Sequence, residues 1–161
     1  MFMCAVYKGT LYWLSYGEYT VEIVTRNTSK TDETFSERKG VYFKVIDEND
    51  LMDIFSVRFY VDYDTGISDT PHIWTIDNGM SNPAKDRLLL RFGKGFLPGW
   101  EIEEKNICTK TIGFDDVRDI KISITYEKKD GQTMAPPYVD ERVITKEEMI
   151  ELFDHFKRTN L

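Results

Sequence analysis

The stretch that decides the fold class is Ile120-Lys121-Ile122-Ser123-Ile124-Thr125-Tyr126. Large apolar side chains alternate with polar ones, and in an extended chain a period of two sends successive side chains to opposite faces, so this is a half-buried strand. The same alternation runs through Tyr19, Val21 and Ile23, through Val41, Phe43 and Val45, through Val57, Phe59, Val61 and Tyr63, and through Leu88, Leu90 and Phe92. Turn residues punctuate these runs at Lys8-Gly9, Asp64-Thr65-Gly66, Asp77-Asn78-Gly79 and Asp130-Gly131. Loops this short join antiparallel neighbours, so the pattern predicts about six to eight strands in a mainly antiparallel, twisted sheet.

Working outward to the C-terminus, the period changes. Met149, Leu152, Phe153 and Phe156 recur at helical spacing. Thr145 followed three residues later by Glu148 forms a capping box, and Ile144 with Met149 forms a hydrophobic staple. Glu147, Glu148 and Glu151 fall early and Lys157 and Arg158 late, as the helix macrodipole favours. An amphipathic helix over 146–158, packed on the sheet, completes an α+β fold. A short helical turn is expected after Asp50, where Leu51, Ile54 and Phe55 would share a face. The polar stretch Asn27 to Lys39 reads as a long loop or hairpin tip.

The 161 residues fit a single globular domain, 1–161, and 41% apolar with 14% aromatic residues is enough to build a core. The formal charge of -7 is the wrong sign for a chain that grips phosphates, so nucleic acid is not the expected partner. Cys4 and Cys108 are too few for a disulfide framework, and no secretory leader or long apolar run is evident, so a cytoplasmic, membrane-free protein is expected.

Several strings invite a chemical reading. Asp64-Thr65-Gly66 after an apolar strand looks like the active-site turn of aspartic proteases, where two carboxylates share one proton. Here the turn occurs once, and Tyr63 stands where a small aliphatic residue is needed. A plain turn is expected. Asp62, Asp64 and Asp69 suggest a calcium loop, but Ile73 occupies the position that requires a bidentate Glu. Gly93, Gly95 and Gly99 follow a strand, yet Phe96, Pro98 and Trp100 intervene where a phosphate-binding helix would have to begin. These residues are expected to lock Phe96 and Trp100 onto the sheet. His72 and His155 lie far apart, in strand-edge and solvated-helix contexts. No catalytic residue, metal ligand or cofactor is therefore expected.

Charge placement says more. Residues 1–80 carry 13 acidic against 7 basic side chains, and residues 81–161 carry 15 against 14. Between Asp47 and Asp77 stand Asp47, Glu48, Asp50, Asp53, Asp62, Asp64, Asp69 and Asp77, with Arg58 alone to offset them. With Tyr63 and Trp74 these residues make a candidate surface for a basic protein, because complementary charge speeds encounter and aromatic residues anchor it.

The closing order of strand, polar loop and Val143-Ile144-Thr145-Lys146-Glu147-Glu148-Met149-Ile150-Glu151-Leu152-Phe153-Asp154-His155-Phe156 resembles that of some bacterial immunity proteins, which bind the toxin domain made beside them. Phage-encoded inhibitors of bacterial defence systems are similar in size, acidity and strand content. The likeness covers the C-terminal half as an arrangement and the capped helix as a residue pattern. It carries no motif that would assign site residues. The resemblance implies a non-catalytic inhibitor of a basic partner, such as a nuclease-type toxin or a defence effector. Two alternatives are an aspartic-protease-like hydrolase using Asp64 and a β-barrel carrier of a small apolar ligand.

Overall fold

Residues 1–158 are described by the computed structural model. Among them are twelve strands and one α-helix. The strands are β1 (Phe2–Tyr7), β2 (Thr10–Tyr16), β3 (Val21–Thr25), β4 (Ser36–Arg38), β5 (Val41–Ile46), β6 (Leu51–Asp62), β7 (Ile73–Thr75), β8 (Leu88–Phe92), β9 (Glu101–Glu104), β10 (Ile107–Ile112), β11 (Ile120–Lys129) and β12 (Gln132–Ile144), and the helix is α1 (Lys146–Arg158). The mainly antiparallel α+β architecture expected from the periodicity is the one found, with more strands than the repeats alone announced. The chain divides into two compact units. A first unit is built from Met1, residues 58–123 and residues 141–151, a second from residues 2–57, residues 124–140 and the segment from Leu152 on.

The longer strand order is β12-β11-β6-β1-β2-β3-β5-β4, in which β1 to β5 belong to the second unit and β6, β11 and β12 each have residues in both units. The order has two ends rather than closing on itself as a barrel would. Lys8 and Gly9, both at positive φ, turn β1 into β2, and Cys4 faces Trp13 while Ala5 faces Tyr12. Both faces of β1 are covered. Ala5, Tyr12, Leu14, Ile23, Leu51 and Ile54 form a core cluster on one side. On the other side Phe2 meets the helical Phe153 and Phe156 at ring separations of 5.4 and 6.2 Å, and the Trp13 indole donates to the Phe156 carbonyl. Burial on this scale is what holds an amphipathic helix on a sheet.

Two local expectations are corrected here. The turn near Asp50 is a 3-10 turn over Glu48–Asp50, and Leu51 already begins β6. The β1 to β6 pairing shifts register between Val6 and Tyr7, a bulge that brings Leu51 to the face of Ile54, whereas Phe55 is buried on the opposite face, its ring 6.4 Å from that of Phe156. Asn27 to Lys39 also holds a 3-10 turn and β4, which pairs with β5.

The first unit carries the three-stranded sheet β8-β10-β9, with β7 paired to the end of β6. Trp74 packs against Trp100 at 5.2 Å and against Phe92 at 6.1 Å. Trp100 therefore packs on the sheet as expected, but Phe96 is exposed, because the glycine-flanked loop carries it outward. The helix start lies in this unit. The Thr145 N–H donates to Glu148 Oε2 at 2.8 Å and the Glu148 N–H to Thr145 Oγ1 at 3.1 Å, while Ile144 and Met149 are buried as the staple requires.

Candidate functional site

The hairpin β11–β12 builds the site. Asp130 and Gly131, at φ of 51° and 77°, make its two-residue turn, a geometry that suits the right-handed twist of the flanking strands. The Asp130 N–H donates to Asp53 Oδ1 at 2.8 Å and the Gly131 N–H to the Met52 carbonyl at 2.8 Å, which ties the turn to β6. On this frame Tyr126 and Tyr138 lie with ring centroids 6.1 Å apart. The Lys129 ammonium stands over both, 5.1 Å from the Tyr126 ring and 4.8 Å from the Tyr138 ring. Tyr138 is 48% exposed. Burial pushes the Tyr126 hydroxyl above the ordinary tyrosine range, and the carboxylates of Asp53, Asp140 and Asp130 push it the same way. Two ring faces and three carboxylates thus share one neighbourhood with a cation. Electron-rich ring faces attract cations, and carboxylates deepen the attraction.

The acidic window divides between the units. Asp47, Glu48, Asp50 and Asp53 belong to the second. Asp47 Oδ1 accepts the Asn49 N–H at 2.9 Å and caps the 3-10 turn. Lys128, 8% exposed, donates its ammonium to the Glu48 and Asn49 carbonyls and holds that turn against β11. Of the window's carboxylates, that of Asp53 acts on the tyrosine pair through its charge, raising the Tyr126 hydroxyl.

In the first unit, Asp62, Tyr63, Asp64, Asp69, Trp74 and Asp77 have other partners. Tyr63 and Trp74 are 8% and 4% exposed, and the Trp74 indole donates to the Tyr63 carbonyl. Their rings fill the core, so shortening either one acts through the fold. Asp77 pairs with Arg91 at 3.3 Å. Asp69 is exposed, at positive φ. Asp62 Oδ1 is buried with no hydrogen-bond partner among the described residues, and Asp62 lines a small groove with Asp119 and Lys121.

Asp64 caps its own turn, its Oδ1 accepting the Gly66 N–H at 2.9 Å, and Oδ2 pairs with Arg118 at 3.1 Å. The amide, then His72 and Arg118, hold this carboxyl below the usual carboxylate range. That environment favours the charged form of Asp64. Cys4 and Cys108 are buried, and burial raises the Cys4 thiol to about 12, which removes its nucleophilic form at neutral pH. The His155 ring packs against Phe156. Among the described residues no group of three or more His, Cys, Asp or Glu side chains is placed to hold a metal ion, and no helix is long and apolar enough to cross a membrane.

Sequence reasoning located the acidity but missed Tyr138, Lys129, Asp130 and Asp140. The polar loop expected ahead of Val143 is instead most of β12, which runs over Gln132–Ile144. The signal that was there is the Asp-Gly turn itself, which predicts a second strand on its far side. No family model, curated protein or solved structure matches the chain.

Proposed function

We propose that this is a non-catalytic binding protein that docks a basic protein partner through the Tyr126 and Tyr138 pair. The observation that carries the reading is the seat of Lys129. The second unit already holds an ammonium over two tyrosine rings beside three carboxylates, so the site takes the chemistry that a partner's lysine or arginine would present. Lys129 serves as an internal stand-in that a partner side chain displaces, and the exposure of Tyr138 lets this happen without unfolding. The net charge of -7 adds long-range steering toward a positive partner. Inhibition of a basic effector in the cytoplasm, of the toxin-immunity or anti-defence kind, is the role that fits such a surface.

The test is affinity purification from the native host with the full chain as bait, beside a Tyr138→Ala bait, followed by mass spectrometry. The expected result is a basic protein retained by the parent and depleted on the variant. Equal recovery on both baits would remove the tyrosine pair from the account.

A further inference from the structure

We propose that β12 pairs antiparallel with β12 of a second copy of this chain, joining two molecules edge to edge. β12 ends the strand order, so one of its backbone edges faces no strand among the described residues. Residues 135–143 are exposed at every position, on both faces of the strand. An unpaired, exposed edge is a template for another strand, and proteins that remain monomeric break such edges with prolines or inward charges. Here the break is confined to one end, at Pro136 and Pro137, and leaves Tyr138-Val139-Asp140-Glu141-Arg142-Val143-Ile144 unbroken.

That run is self-complementary. A two-fold axis at Glu141 sets Asp140 opposite Arg142 of the second copy and Val139 opposite Val143, each pair occurring twice. Val139 and Val143 are 53% and 58% exposed, so both valines gain from being covered. Directly opposed residues share a face of an antiparallel pair, where opposite charges and branched side chains favour each other. Moving the axis to Asp140 or Arg142 also sets like charges at the centre, and in addition places a valine against Glu141 and separates Asp140 from Arg142. The register also has natural limits. Pro137 would fall opposite Thr145, where the strand has given way to the helix cap. The opposing term is Glu141 against its own copy, which the Lys121 ammonium 3.4 Å away offsets in each molecule. Seven residues a side make a small interface, so the dimer should be weak and concentration-dependent.

The second copy, rather than an unrelated strand, is tested by charge exchange in the full chain. Analytical ultracentrifugation across a concentration series should show a monomer–dimer equilibrium for the parent. Asp140→Arg alone sets arginine against arginine twice, and Arg142→Asp alone sets aspartate against aspartate twice, so each should raise the dimer dissociation constant about tenfold or more. An equimolar mixture of the two variants pairs arginine with aspartate at both positions and should restore dimerisation to within about threefold of the parent. Circular dichroism confirms that each variant is folded before it is mixed. A parent that stays monomeric at all concentrations, variants that dimerise like the parent, or a mixture that fails to recover would each overturn the proposal.

Discussion

Trp74 and Tyr126 each stand in an aromatic pair, one in each compact unit, with ring centroids 5.2 Å from Trp100 and 6.1 Å from Tyr138. Acidic residues accompany both in the sequence, yet the two pairs behave differently. In the first unit the rings are buried, and the nearby acids Asp64 and Asp77 are matched by Arg118 and Arg91. In the second unit one ring is half exposed, carboxylates surround the other, and a lysine ammonium lies over both. Acidity and aromatic content therefore do not by themselves tell the exposed pair from the buried one. What distinguishes the second pair is solvent access combined with carboxylates, Asp53, Asp130 and Asp140, that hold no ion pair among the described residues.

The comparison breaks most visibly under truncation. Trp74→Ala should cost about 3 to 5 kcal/mol of stability by leaving a cavity beside Trp100, and Phe153→Ala should cost as much by emptying the space against Phe2. Chemical denaturation measures both. Tyr138→Ala should leave stability within about 1 kcal/mol of the parent, because a half-exposed side chain loses little burial, yet cost about 2 kcal/mol in partner binding if it is an anchor. A Tyr138 variant as unstable as the Trp74 variant would erase the distinction between the two pairs.

Thr145→Ala should cost about 1 kcal/mol in the same denaturation series, since it removes one half of the capping box. Smallest is an effect of pH. The Tyr126 hydroxyl is raised above its unfolded value, so the folded state retains its proton longer and loses stability as pH climbs past the unfolded tyrosine value. Replacing Asp53 by Asn should lower the Tyr126 titration midpoint in a tyrosinate absorbance or NMR titration, without returning it to the ordinary value, because burial is the larger cause.

Much of the architecture was legible because it rests on local rules. Period-two alternation marked β5, β6, β8 and β11, and Thr145 with Glu148 marked the helix start by two reciprocal hydrogen bonds. β12 was illegible for a physical reason. Exposed on both faces along most of its length, it has no apolar face to impose alternation, and its extension is set by pairing with β11 rather than by its own side chains. The site was missed with it, since Tyr138 and Asp140 lie on that strand. Leu51, Ile54 and Phe55 mislead in the opposite sense: Ile54 and Phe55 are buried on opposite, covered faces of one strand, and a bulge brings Leu51 to the face of Ile54, which together imitate helical spacing.

If Lys129 occupies a seat that a partner's cation takes, removing its side chain should strengthen partner binding. Binding of the co-purified basic protein to the full chain, followed by isothermal titration calorimetry, would compare the parent with Lys129→Ala and with Arg26→Ala, which removes the same charge from an exposed position just after β3. Freed of its internal competitor, the Lys129→Ala protein should bind tighter than the parent by about threefold to tenfold, beyond any gain shown by Arg26→Ala. Equal affinities for the two variants, or weaker binding by Lys129→Ala, would contradict the account.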